Sequence, residues 1–399
     1  MRICTCSNRF PPNIVGGAEL VAYELSRNLK NKGHEMSFLT LSDTRVSALY
    51  EMDGLNVDRM MNANVYNQFS ARTRSTLLRV IFGAVDCFNP IVFFLALRHL
   101  KTYRTEVLCS HNLKGMGPAV WLAARLLKIP IVHVIHDYWL VCPTSTMFRN
   151  GSACGNCCGS CRRVSAPKAW FSRVVNHVVG VSRFALKQHL DAGFFVGVER
   201  SVIHNSRPPL MKSSRLPAEE HSSFRVGFIG RVDATKGISQ FFASVIAAQT
   251  PNIEVHVAGR DNNGILKELI IAHPQLRVVH HGFVDPGDFY DLVDLVVVSS
   301  MWNEPFATVS FEPWEFSKPS VAFSVGGLPE VYACFPELTV PRGDVAALGD
   351  LIKRLACDHE FYDSVARQCR VHREYFLPQR QVAEFERVLL SVREPVHRC

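Results

Sequence analysis

No apolar run in this 399-residue chain reads as a membrane-crossing helix, which needs roughly 20 consecutive apolar residues. The N-terminus leads straight into a strand, without the basic and apolar segments of a signal peptide. Low-complexity segments are absent, and so are short repeats, which argues against fibrous and solenoid classes. No G-x-G-x-x-G follows either opening strand, neither after Ser7 nor after Phe228-Ile229-Gly230, and this argues against a dinucleotide oxidoreductase. No D-x-D-like pair stands in a suitable loop, Asp233 and Asp285 being solitary, so no metal ion is expected to be required for catalysis. The setting expected is cytoplasmic and reducing. There the thirteen cysteines are thiols or metal ligands rather than disulfides.

What is present fits a globular α/β protein. Hydrophobic residues make up 47% of the chain and charged residues 20%, enough material for two cores. Charge is lopsided: residues 1–200 hold 24 Lys+Arg against 12 Asp+Glu, whereas residues 201–399 hold 20 against 24. Short apolar strands alternate with amphipathic helices, the pattern of parallel sheets with helical crossovers. A first series is expected at Met1–Ser7, a helix at Ala18–Lys32 ended by Gly33, then strands at Glu35–Leu41, Val107–Ser110, Ile131–Ile135 and Val178–Val181. The polar, Pro-containing stretch His204–Ser223 reads as a linker. A second series follows at Arg225–Ile229, Ile253–Ala258, Arg277–His280, Leu292–Val298 and Ser320–Phe323, with helices from about 344 to 395.

The densest chemistry lies in Met301–Glu312, directly after the strand Leu295–Val298. Glu304 and Glu312 frame seven residues, with Pro305 after the first. The pattern predicts a strand feeding a helix whose N-terminus offers N–H groups and partial positive charge to a phosphate. The two carboxylates are too far apart to form one acid/base pair, since a helix rises about 1.5 Å per residue. They suit two ends of one long ligand, such as a nucleotide-sugar. Gly16-Gly17 after the first strand allows close approach of backbone to a ligand. Arg231 and Lys236, past the first strand of the second series, are placed for a diphosphate.

Taken in order, Gly16-Gly17-Ala18-Glu19, Gly230-Arg231 with Lys236-Gly237, Val257-Ala258-Gly259, the Glu304…Glu312 pair and Gly326-Gly327-Leu328-Pro329-Glu330 resemble the retaining glycosyltransferases of family 4. The resemblance implies an α/β fold of two facing Rossmann-like domains, the GT-B architecture, with the active site in the cleft between them. It implies an acceptor-binding domain at 1–205, which would include the Cys-rich loop 142–161. A nucleotide-sugar-binding domain would cover 206–375, and a helical tail at 376–399 would pack back on the first domain. Glu304 would then hold hydroxyls of the donor sugar, backbone N–H groups of Phe306, Ala307 and Thr308 would meet sugar and phosphates, and Glu312 would accept from the ribose diol. His136, with Asp137 and Tyr138 at the end of Ile131–Ile135, would lie beside the reacting sugar, donating to a hydroxyl or handling the acceptor proton. His111 is a second candidate at a strand end. Retention would proceed by front-face attack, with the leaving diphosphate as base. Ala307, Pro313 and Ser317 depart from the residues usual at those positions.

Two features stand apart. Cys142, Cys154, Cys157, Cys158 and Cys161 crowd one loop; Cys142, Cys154, Cys157 and Cys161 could form a Cys₄ zinc site, the alternative being reduced thiols shaping a pocket. The stretch Arg72–Arg104 mixes apolar runs with Arg72, Arg74, Arg79, Arg98, Lys101 and Arg104. It reads either as a docking face for anionic lipid or as a core helix with a charged outer face. The expected function is transfer of a sugar from a UDP- or GDP-type donor to a glycan or lipid-linked acceptor in bacterial surface polysaccharide synthesis. The protein would be peripheral on the inner face of the membrane. A sugar-nucleotide epimerase of the same fold and a non-catalytic nucleotide-sugar-binding subunit are the alternatives. Nucleic acid is not an expected partner, since no recognition motif accompanies the basic half.

Overall fold

A computed structural model describes residues 1–13, 16–68, 75–211 and 223–393. Arg72, Arg74, part of the expected linker and the last six residues fall outside them. In chain order the elements are β1 (Arg2–Cys6), α1 (Gly17–Asn31), β2 (Glu35–Leu41), β3 (Ala48–Met52), β4 (Leu55–Met60), α2 (Thr76–Cys87), α3 (Pro90–Thr102), β5 (Val107–Ser110), α4 (Ala119–Leu126), β6 (Ile131–Ile135), β7 (Phe148–Arg149), β8 (Ser152–Ala153), α5 (Gly159–Phe171), β9 (His177–Gly180), α6 (Arg183–Asp191) and β10 (Glu199–Val202). A second series runs β11 (Phe224–Ile229), α7 (Ile238–Ala247), β12 (Ile253–Ala258), α8 (Ile265–Ala272), β13 (Arg277–Gly282), α9 (Pro286–Leu292), β14 (Leu295–Val298), β15 (Ser320–Phe323), α10 (Leu328–Val331), β16 (Thr339–Val340), α11 (Val345–Cys357), α12 (His359–His372) and α13 (Pro378–Arg393).

The chain divides into two compact units: Met1–Met147, Cys154–Asn205 and Pro378–Cys399 form one, Phe148–Ala153 and Ser206–Leu377 the other. In the first unit the sheet order is β10-β9-β6-β5-β1-β2-β4-β3, parallel except for the edge strand β3, which pairs antiparallel with β4. The second sheet, β13-β12-β11-β14-β15-β16, has parallel pairing throughout. Strands β5, β6, β14 and β15 are buried along their whole length. That is why they read as continuous apolar runs instead of alternating ones. In the first unit α13 packs on α1, and Glu386 of α13 pairs with Lys32 at 2.5 Å.

Three sequence expectations are corrected. The β3–β4 hairpin was missed, although Asp53-Gly54 carries the two positive φ values, 51° and 68°, of the tight turn that such a dipeptide favours. Leu77–Thr102 is, by length and composition, apolar enough to cross a membrane, yet it folds as two helices. Asn89 breaks it, its carboxamide oxygen capping Ile91 N and Val92 N at 3.0 and 3.3 Å. Finally, no α-helix follows Glu304. The segment holds two 3₁₀ turns, Thr308–Ser310 and Glu312–Phe316, because Pro313 has no N–H to continue a helical ladder. The helix-dipole argument for phosphate binding at this segment falls with it, and Pro305 lies in irregular backbone.

Candidate functional site

In the second sheet the chain order reverses between β11 and β14, and open parallel sheets bind ligands at the carboxyl edge of such a switch point. The loops leaving these two strands carry the expected residues. Gly230 ends β11 with φ 147°, and a β-carbon on Gly259 would lie 1.8 Å from Gly230 O, so both positions demand glycine. Asp233 organises the next loop: its Oδ1 accepts from Thr235 N at 2.9 Å and Lys236 N at 3.0 Å. Arg231, half exposed, reaches Thr235 Oγ1 at 3.3 Å and Asp233 Oδ2 at 3.6 Å. Gly237 starts α7 in the left-handed region, where a β-carbon would strike Ser299 O at 1.9 Å.

Glu304 is the centre of the arrangement. It is 3% exposed, and a buried carboxylate requires partners. Three donors converge on Oε1: Lys236 Nζ at 2.7 Å, Ser300 Oγ at 2.6 Å and Trp302 Nε1 at 2.7 Å. The backbone is fixed too. Gly327 N donates to Glu304 O at 2.7 Å, and a β-carbon on Gly326, at φ 58°, would lie 2.2 Å from that oxygen. Asn303 beside it accepts from Arg342. Phe306 and Ala307 are buried, Phe306 lying against Phe311 and Phe376 with ring centroids about 6 Å apart, while Thr308 is half-buried.

Glu312 is not a solvated helix charge. Arg207 Nε donates to its Oε1 at 2.7 Å and Tyr290 OH to its Oε2 at 2.6 Å. Burial and the adjoining carboxylate push the Tyr290 hydroxyl well up, so it remains a donor. A ribose diol would meet only the lone pair that each oxygen keeps. Phe311, Pro313 and Trp314 around it are buried as well, which is why the carboxylate needs these internal partners.

In the first unit β5 and β6 bring His111 and His136 together. His111 Nδ1 lies 2.8 Å from His136 Nε2, with the rings stacked at 5.1 Å. His111 Nε2 is 3.5 Å from Cys109 Sγ. Burial lowers His136 to about 3 and His111 well below its usual range, so both are neutral near pH 7. A near-neutral titration of His136 is therefore corrected: desolvation removes the imidazolium. The chain of contacts instead couples its tautomer to that of His111. Burial holds the Cys109 thiol protonated, its pKa raised to about 12. Were the thiol to donate to His111 Nε2 and His111 Nδ1–H to His136 Nε2, His136 would carry its own proton on Nδ1. That Nδ1 is buried and has no hydrogen-bond partner among the described residues.

Neighbouring candidates fare differently. Asp137 Oδ1 accepts from Trp139 N at 2.8 Å, and burial raises its carboxyl. Tyr138 is 0% exposed and stacks on His189, so its assignment to the acceptor side is corrected: its ring is core. Gly16 and Gly17 are exposed at the start of α1, where Glu19 Oε2 accepts from Gly16 N at 3.0 Å in the manner of a capping carboxylate.

A model of "Glycosyltransferase Family 4" matches residues 15–206, and one of "Glycosyl transferases group 1" matches residues 223–358. The chain belongs to the family 4 glycosyltransferases. A Klebsiella pneumoniae protein described as an uncharacterized 42.6 kDa protein in cps region is 26% identical over 338 residues, covering 85% of this chain and 89% of that protein. Sucrose-phosphate synthase from Thermosynechococcus elongatus superposes with a TM-score of 0.75 at 17% identity, covering 98% of each chain. HepE of Anabaena, solved in complex with UDP-glucose, gives 0.72 at 18% identity over 98% of this chain and 100% of that one. The fold is thus the GT-B type, with two Rossmann-like domains.

In this family 4 glycosyltransferase the cysteine loop does not fit a Cys₄ zinc site. Cys142 and Cys161 Sγ atoms approach to 3.9 Å, but Cys157 Sγ turns to Val141 O at 3.6 Å and Cys142 Sγ also meets Thr144 Oγ1 at 3.1 Å. Among the described residues no three His, Cys, Asp or Glu converge on a point that a metal could fill. Cys154 and Cys157 lie in the link between β8 and α5, whereas Cys161 is in the first turn of α5, which turns the thiols to different neighbours. Ser300, Trp302 and Arg342 were the site residues missed from sequence. Only Trp302, an aromatic two residues before the glutamate, left a visible signal.

Proposed function

We propose that the protein is a retaining transferase that moves a sugar from a nucleoside-diphosphate sugar to a glycan or lipid-linked acceptor in bacterial surface polysaccharide synthesis. Its setting would be the inner face of the cytoplasmic membrane. The observation that carries this reading is Glu304: three donors fall on Oε1, which fixes the carboxylate and leaves Oε2 to accept from donor-sugar hydroxyls. Lys236 keeps further N–H donors beyond the one on Glu304, and with Arg231 it would neutralise charge on the leaving diphosphate, the work a metal ion does elsewhere. Glu312 would hold the ribose. His136, with its proton on Nδ1, would donate to a sugar hydroxyl and not act as a base, in keeping with front-face chemistry in which the diphosphate takes the acceptor proton. A uridine donor is supported by HepE, solved with UDP-glucose. The polysaccharide setting is supported by the relative from a cps region.

The test is transfer from UDP- and GDP-sugars, with the anomeric configuration of the product read by NMR. Glu304→Ala is expected to lower turnover by about 10² or more, as losing a centred polar contact does; circular dichroism should show the fold kept, while the melting temperature falls because Lys236, Ser300 and Trp302 lose their shared acceptor. Unchanged turnover would remove the donor-site assignment, and an inverted anomer would remove retention. Conversion of donor without acceptor would favour the epimerase.

A further inference from the structure

The helices α2 and α3 turn an apolar surface outward that none of the described residues of the first unit covers. Leu77, Val80 and Ile81 of α2, Phe88 just past its end, and Ile91 and Phe94 of α3 are exposed, Leu77 at 68% and Phe94 at 65%. On α2, positions 77, 81 and 84 recur at helical spacing, so its outward stripe is apolar. On α3 the same stripe continues as Arg98 and Lys101, both exposed. Helix α5 lies alongside, Cys87 Sγ meeting Val164 O at 4.0 Å, and adds exposed Trp170 (64%) with Arg162 and Arg163. Charge on this surface has one sign. From Ser75 to Arg104 the one acidic residue is Asp86, which is buried and accepts from Gly115 N at 2.8 Å; from Gly159 to Arg173 there is none.

We infer that α2, α3 and α5 form a docking surface that lies in the plane of an anionic bilayer and does not span it. An apolar helix face flanked by cations and an interfacial tryptophan is the physical signature of such a surface. Spanning is disfavoured by geometry. At 12 and 13 residues the helices are each about 20 Å long, short of the ~30 Å hydrocarbon core, and the break at Asn89 is built in. Their inner faces are also committed to the protein: His99 Nδ1 lies 3.2 Å from Asp58 Oδ2 and its Nε2 3.1 Å from Ser37 Oγ. Pulling these polar groups into lipid would leave them without partners. The inference deepens the proposed function by placing the acceptor at a lipid surface, but its test needs no substrate.

The test is co-sedimentation of the whole chain with vesicles of phosphatidylcholine alone or with about one-third phosphatidylglycerol, at low and high salt. Binding is expected to the anionic vesicles and to fall with salt. Arg98→Gln with Lys101→Gln should weaken it about 30-fold, and Ile81→Asp with Phe94→Asp should abolish it. Hydrogen exchange of the first sheet, unchanged in both variants, would show that the fold is kept. Wild-type protein that stays in the supernatant with both vesicles overturns the inference. So does extraction that requires detergent at high salt, which would mean spanning, and so does a soluble dimer that Ile81→Asp with Phe94→Asp dissociates while vesicles go unbound. Loss of vesicle binding with transfer to a soluble acceptor intact would leave the donor reading standing.

Discussion

At the residue scale, the least expected chemistry is the neutral histidine pair. His111 and His136 are buried, and desolvation holds His136 at about 3 against an ordinary 6.5. A depressed histidine binds its proton only when the chain unfolds. Its contribution to stability is therefore full above pH 6.5 and is lost as pH falls towards 3, at up to about 1.4 kcal/mol per pH unit for each such group. Thermal unfolding followed from pH 7 to pH 4 should show this slope, and His111→Gln with His136→Gln should flatten it. A slope that is unchanged would mean that the pair is charged or accessible in the folded state. Such a relay would also make Cys109 a positioning residue: Cys109→Ala should lower donor-dependent turnover severalfold while leaving nucleoside-diphosphate affinity unaltered, because it frees the His136 tautomer without touching the diphosphate loop. Equal losses in both would point to simple destabilisation.

At the element scale, legibility followed burial. Strands β5, β6 and β15 matched their sequence bounds because strands buried on both faces write their burial directly into largely apolar runs. The Glu304 segment was misread as a helix because its shape comes from elsewhere: Ser300 and Trp302 tie down the side chain and Gly326-Gly327 the backbone. Local pattern contains none of those contacts. The Glu304…Glu312 spacing and the Gly326-Gly327 pair were legible as motifs, but the physical reason for the second appears only in three dimensions. Gly326 sits at φ 58°, with Glu304 O where a β-carbon would go. Gly326→Ala should accordingly cost more than about 2 kcal/mol, combining left-handed strain with a backbone clash, and should weaken donor binding as Glu304 shifts. Denaturant unfolding measures the first and calorimetric titration with UDP-sugars the second. A variant of wild-type stability would show that the turn relaxes without strain and does not set the glutamate.

At the scale of the whole molecule, the sequence divides its tasks as it divides its charge. The first half has half as many acidic residues as the second, 12 against 24, and so carries the net positive charge; the outward cations of α3 and α5 lie there, while every residue assigned to the diphosphate and the nucleoside belongs to the unit formed mainly by Ser206–Leu377. A nucleoside diphosphate without its sugar should therefore stabilise that unit. At about 100 times its dissociation constant it adds about 2.7 kcal/mol to whatever it binds, and two units need not unfold in one step. Hydrogen exchange with UDP, GDP and CDP in turn should slow the amides of 230–237 and 300–312, and the diphosphate that does so identifies the donor base. Slowed exchange confined to residues 1–205, with 300–312 unaffected, would place the nucleotide in the wrong unit and remove Glu304 and Glu312 from the donor site together. No response to any diphosphate would remove the donor site from 300–312, and with it both the transferase and the nucleotide-sugar-binding subunit, because loops held by so many internal hydrogen bonds are already in shape and have no ordering cost to set against binding.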